Sequence, residues 1–103
     1  MRQAKVYMHN KLAGIISETD NGYSFAYTDD YLKSGSEAIS LTLPLNSAPY
    51  LSRIMFPFFD GLIPEGWLLD IAEQNWKLDK RDRMGLLLAC CKDCIGAVSI
   101  VGF

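Results

Sequence analysis

The first quarter of the chain alternates apolar with polar residues one by one, a period that fits strands buried on one face and does not fit helices. Ala4, Val6 and Met8 fall on one side of the first run, Lys5, Tyr7 and His9 on the other. A polar turn at Asn10-Lys11 leads to a second strand over 12–17, and Asp20-Asn21-Gly22 supplies residues that tolerate positive φ in a tight hairpin. In the third strand Tyr23, Phe25 and Tyr27 point one way, Ser24 and Ala26 the other. A polar loop over 29–37 follows, with a short turn at Tyr31-Leu32. Alternation then returns as Ile39, Leu41, Leu43 and Leu45 against Ser40, Thr42 and Pro44. This predicts a fourth strand, ended by Pro44 and the loop over 46–49.

Beyond Tyr50 the texture becomes aromatic and proline-punctuated. Pro57 would disrupt a long helix, so a short helical turn and a loop are expected there. Pro64 suits a first helical position and Glu65 complements the positive end of a helix dipole, which predicts a helix over about 64–76. A second helix is expected over 81–92, and the apolar, β-branched run Ala97 to Val101 makes a fifth strand. Strands, then helices, then a strand indicate an α+β fold. Its small antiparallel sheet has about five strands, open or barrel-like, packed with two to three helices. At 103 residues, half of them hydrophobic, the chain can bury one core, so a single domain over 1–103 is expected.

Twelve acidic residues against ten Lys and Arg give a formal net charge of −2. Such a surface has no excess of cations to neutralise phosphates, which argues against direct nucleic-acid binding. The densest cationic run, Lys77, Lys80, Arg81 and Arg83, is interrupted by Asp79 and Asp82 and reads as a solvated face. The first ten residues hold no continuous apolar run, so neither a leader peptide nor a membrane span is expected there, and the chain is assigned to the cytoplasm. Cys90, Cys91 and Cys94 are odd in number and crowded, unlike a secreted disulfide framework, and are read as reduced thiols.

Catalytic constellations are missing from the sequence. His9 is the one histidine, placed beside a turn, and reads as a plain surface residue. Neither phosphate-binding glycine motif nor kinase motif occurs. Cys91-x-x-Cys94 could hold zinc or act in redox chemistry, but a four-ligand site needs partners beyond Cys90 and the distant His9. Helical spacing puts Met84, Leu87, Leu88 and Cys91 on one stripe, which favours packing. The residues therefore call for no metal and no cofactor, and describe a binding module better than an enzyme.

The most informative segment is Phe58-Phe59-Asp60-Gly61-Leu62-Ile63-Pro64-Glu65-Gly66-Trp67. Phe58, Phe59, Leu62 and Ile63 are expected to line the core and seat a helix against the sheet. Trp67 would lie at the edge of the stripe centred on Leu68, Ile71 and Ala72, beside Asp70 and Gln74. There it is either half-buried or an anchor for a protein partner, since tryptophan is enriched among interface hot spots.

Taken in order, Phe25-Ala26-Tyr27, Ser40-Leu41-Thr42-Leu43-Pro44-Leu45, Phe58 to Gly66, and Asp93-Cys94-Ile95-Gly96-Ala97 resemble the N-terminal subdomain of HipA-type serine/threonine kinase toxins. The resemblance spans nearly the whole chain. It departs mildly at Gly61-Leu62-Ile63, where family members usually have Asn-Leu-Leu. In HipA toxins a kinase core follows this subdomain, and an ending just past the Gly96-Ala97 strand resembles the three-component HipBST arrangement. There a separate small antitoxin, HipS, accompanies a shortened kinase, HipT, and a helix-turn-helix protein, HipB, and sparing of an aminoacyl-tRNA synthetase results. A fragment of a longer HipA is the other way to account for the same ends. The resemblance implies an antitoxin that binds and silences a HipT-like kinase, with a HipB-like protein in the same complex. The residues expected to meet the kinase are Trp67, Glu65, Asp70, Phe58, Phe59 and Asp60. A scaffold that joins a HipA-type kinase to its DNA-binding partner without inhibiting it is the alternative.

Overall fold

Residues 2–34, 37–63, 82–90 and 97–102 are described by the computed structural model. Strand β1 (Gln3–Met8) turns into β2 (Lys11–Thr19) through His9 and Asn10, whose φ values of 50° and 68° are both left-handed. Two consecutive positive φ values are what a two-residue hairpin needs to match strand twist, and asparagine tolerates them better than most side chains. The turn thus lies one residue earlier than the polar pair Asn10-Lys11 suggested. Strand β3 (Gly22–Tyr27) follows the turn Asp20-Asn21, where only Gly22, at φ 148°, takes up the positive φ the sequence offered.

Pairing is antiparallel throughout, in the order β4-β3-β2-β1-β5, where β4 is Tyr50–Ser52 and β5 is Val98–Gly102. The outer strands β4 and β5 are separate edges, so the sheet is open and the barrel-like form is not adopted. Register explains the sidedness. Ala4, Val6, Met8, Ile16, Phe25, Tyr27, Val98 and Ile100 share one face and are all buried. Between Val6 and Tyr7 the β1–β2 register shifts, and Ala13 is the extra residue of the resulting bulge. Its carbonyl accepts the N–H of Thr28 at 2.9 Å. Thr28 in turn caps helix α1 (Asp29–Lys33), its hydroxyl accepting from the Tyr31 N–H.

Over the buried face lie α1, helix α2 (Pro57–Asp60) and helix α3 (Arg83–Cys90). Pro57 opens α2 where its missing N–H costs nothing. Phe59 is fully buried, with ring centroids 5.3 Å from Phe25, 6.0 Å from Phe56 and 5.2 Å from Phe58. From α3 come Met84, Leu86 and Leu87, all essentially inaccessible, while Leu88 is only partly buried. The core stripe therefore includes Leu86 where spacing suggested Leu88. Cys91, and the whole of the helix expected over 64–76, lie outside the described residues.

The predicted fourth strand over Ile39 to Leu45 is not a strand. Its one ladder-like feature is an isolated bridge between Ser40 and Leu43, and the sheet's fourth strand is Tyr50–Ser52 instead. Tyrosine hydroxyls replace the ladder. Tyr27 donates to the Leu43 carbonyl and accepts from the Ile39 N–H at 3.2 Å. Tyr31 donates to the Glu37 carbonyl and Tyr50 to the Pro44 carbonyl, each at 2.6 Å. Ile39 and Leu43 still reach the core, whereas Leu41 is fully exposed.

Two substitutions check this account. Removing the hydroxyl in Tyr27→Phe leaves a buried N–H and a buried carbonyl without their partner, and should lower unfolding free energy by about 1–3 kcal/mol in urea titration with an unchanged slope. At Gly22 a Cβ would overlap the Ser52 carbonyl oxygen and come within 2.6 Å of the Arg53 Cα, on a backbone L-residues avoid. Gly22→Ala should therefore destabilise by about 1–3 kcal/mol and loosen β4, visible as faster amide exchange of Ser52 than of β1.

Candidate functional site

The Phe56–Ile63 segment crosses the buried face as one helical turn and its continuation. Asp60 N–H bonds to the Phe56 carbonyl, Gly61 to Pro57, Leu62 to Phe59 and Ile63 to Asp60, at 2.9–3.2 Å. This winding sends Phe59 and Ile63 inward and leaves Phe58 and Leu62 partly buried. The core-lining role expected of these four residues is what the packing gives them. Phe58 alone of the two phenylalanines expected at a partner surface keeps some of its ring accessible.

Asp60 is half-exposed, and its Oδ1 accepts a 2.6 Å hydrogen bond from Nε of Arg83 in the first turn of α3. Next to Arg83, Asp82 turns the other way and meets Arg2 through paired contacts of 2.7 and 2.9 Å. The same guanidinium reaches Glu18 of β2 at 2.8 and 3.1 Å. Arg2 thus holds two carboxylates at once, a fork geometry lysine cannot reproduce. Asp82 also accepts the Gly85 N–H at 3.2 Å. A Cβ at Gly85 would overlap the Asp82 carboxylate and lie 3.2 Å from Arg2 Nη1, so a residue that weakens helices makes room for this pair. Two members of the run read as a solvated face are therefore engaged with other elements.

His9 sits in the β1–β2 turn with a largely exposed ring, its Nε2 3.6 Å from Glu37 Oε1, in keeping with a surface histidine. Met8 and Glu37 line two adjoining surface cavities, of about 310 and 430 Å³. Phe58, Phe59 and Asp60 line neither. Among the described residues no three His, Cys, Asp or Glu side chains gather to hold a metal, and no helix is long and apolar enough to cross a membrane. Glu65, Trp67 and Asp70, with Cys91 and Cys94, lie outside the described residues.

With this geometry in hand, a family profile described as HipA N-terminal domain matches residues 4–101. The chain belongs to the HipA N-terminal domain family. A solved structure of the N-terminal domain of HipA toxin superposes on this family member with a TM-score of 0.77 at 27% identity, covering 100% of this chain and 93% of that one. An uncharacterized protein of Haemophilus influenzae is 32% identical over 100 residues, which are 97% of this chain and 92% of the relative. As a HipA N-terminal domain, the chain has the α+β architecture with an antiparallel sheet that its strand pattern announced.

Sequence reasoning missed Arg2, Glu18 and Asp82. Arg2 and Asp82 are 80 residues apart, and no local period links them. The available hint was Gly85, a glycine inside an otherwise strong helical run.

The network sets a pH dependence. Hydrogen bonds from Arg2 hold the Glu18 and Asp82 carboxyls below their ordinary ranges. Groups with depressed folded-state pKa values stabilise the fold above their unfolded values and lose that contribution as pH falls through the folded ones. The stability advantage of wild type over Arg2→Ala should accordingly be full at neutral pH and decline as pH falls below the ordinary carboxylate range, in denaturant titrations. Both carboxylates are well solvated, so the advantage should be small and should shrink further in high salt.

Proposed function

We propose that this HipA N-terminal domain acts as an antitoxin: it binds a HipT-like serine/threonine kinase toxin and neutralises it by setting the Trp67 segment in or beside the kinase's active-site cleft. The family match over residues 4–101 carries the reading, because it makes nearly the whole chain a HipA N-terminal domain. Such a chain works by occupying another protein's surface, in the cytoplasm, with a HipB-like helix-turn-helix protein in the same complex and no catalysis of its own. Trp67 supplies the aromatic anchor, Glu65 and Asp70 supply carboxylates suited to a cationic phosphate-binding site, and the Phe58–Asp60 turn flanks them. Phe59 contributes from beneath, as the buried base on which Phe58 rests.

A second reading has its own support. The solved relative is a domain of the HipA toxin itself, which favours a scaffold that assembles a kinase with its DNA-binding partner and leaves phosphorylation untouched. Purified components separate the two, since adding the chain to the kinase abolishes phosphorylation under the first reading and leaves it unaltered under the second.

A well-buried anchoring tryptophan contributes ~2–4 kcal/mol to binding, or roughly 30- to 1,000-fold in affinity. Trp67→Ala should then release toxicity in cells that co-express the kinase, with the circular dichroism spectrum and thermal midpoint of the domain preserved. Full retained protection by this variant would remove Trp67 from the mechanism.

A further inference from the structure

Leu41 is fully exposed, and neither the core nor its own turn asks for a leucine there. The turn over 40–43 closes through the Leu43 N–H on the Ser40 carbonyl at 3.1 Å, and the Ser40 and Thr42 hydroxyls bond to each other at 2.9 Å. Such a tip is ordinarily polar or glycine-rich. This one is also held from below, because the Leu43 carbonyl accepts from the hydroxyl of buried Tyr27. Single exposed apolar residues are common on protein surfaces, but Leu41 does not stand alone. Pro44 and Leu45 are exposed beside it in the chain. The cavity of about 430 Å³ next to it has Met8, Ile39, Leu41 and Pro44 among its walls. A fixed apolar knob beside an apolar hollow has the form of an interface anchor, and little backbone freedom is left for it to lose on binding.

The chemistry of the rim selects the surface that fits. Glu37 is the one charged residue lining that cavity among the described residues. His9 Nε2 lies 3.6 Å from its carboxylate, yet both side chains are largely exposed, so the carboxylate stays open to a cation from outside. A second copy in isologous contact offers this same face, with no cation lining the Leu41 cavity to meet Glu37. We propose that the turn over 40–43 is a second docking surface for the partner kinase: Leu41 enters an apolar depression of the kinase, an apolar side chain of the kinase enters the cavity, and a lysine or arginine beside it pairs with Glu37. This rests on the antitoxin reading, which supplies the occupant. Phe58, Phe59 and Asp60 do not line this cavity, so the contact adds to theirs.

Substitutions at the exposed tip leave the core alone. Leu41→Glu should weaken binding to a purified HipT-like kinase about 30-fold in titration calorimetry, and the neutral Leu41→Ala about tenfold, with thermal midpoints within about 2 °C of wild type. Glu37→Lys should weaken binding about tenfold at low salt and progressively less as salt is raised, since a rim ion pair is screened. Leu41 variants that bind like wild type overturn the proposal, and so does Glu37→Lys binding that matches wild type at low salt. A wild-type chain that sediments as a dimer, with Leu41→Glu monomeric, gives the face to a second copy and overturns it too. Trp67→Ala, measured alongside, separates this surface from the reading beneath it. Affinity lost in Trp67→Ala but kept in Leu41→Glu sinks this surface alone, whereas a wild-type chain that binds no HipT-like kinase sinks both.

Discussion

The contact between Phe59 and Phe25 joins the two layers of this domain. An open sheet exposes two faces, and the strand register here gathers the large apolar side chains on one of them. Something must cover that face for the strands to be worth forming. A single turn of helix does so at the centre, because Pro57 starts it, the Phe56 and Pro57 carbonyls accept the first bonds, and Phe59 is aimed at Phe25. The surrounding rings meet edge-on or tilted, the arrangement aromatic quadrupoles favour. α3 then extends the cover with Met84, Leu86 and Leu87 over the same face.

Around this apolar joint the charges have a different duty. Burial is indifferent to small shifts of one element over another, whereas a fork between a guanidinium and two carboxylates is directional. Arg2 ties β1, β2 and the start of α3, and Arg83 ties α3 to α2. The hydrophobic layer supplies cohesion, and the half-exposed pairs Arg2–Asp82 and Asp60–Arg83 supply register between α3 and the elements it packs on.

The sheet was legible in the sequence because alternation is a local property: β1, β2, β3 and β5 lie close to where the pattern put them. The same rule failed at Ile39 to Leu45, where alternation marks side chains that take turns facing the core, not a backbone that joins a ladder. Which groups satisfy that backbone depends on Tyr27, Tyr31 and Tyr50, and hydroxyl partners leave no trace in a hydropathy pattern. Of the expected site, the packing of Phe58 and Phe59 could be read from their apolar character. The engagement of Asp60 by Arg83 could not, since it joins residues brought together only by the finished fold.

The bulge at Ala13 shows how far such dependence reaches. One surplus residue in β2 swings a carbonyl toward Thr28, and that acceptor meets the chain just where it leaves the sheet for α1. The corner of the fold is thus written fifteen positions upstream of where it is made. Deleting a residue there would do more than turn side chains over within one strand, since the following helix would lose its point of departure. Insertions and deletions in that hairpin are therefore constrained by geometry at a distance, even though the turn itself lies at the surface.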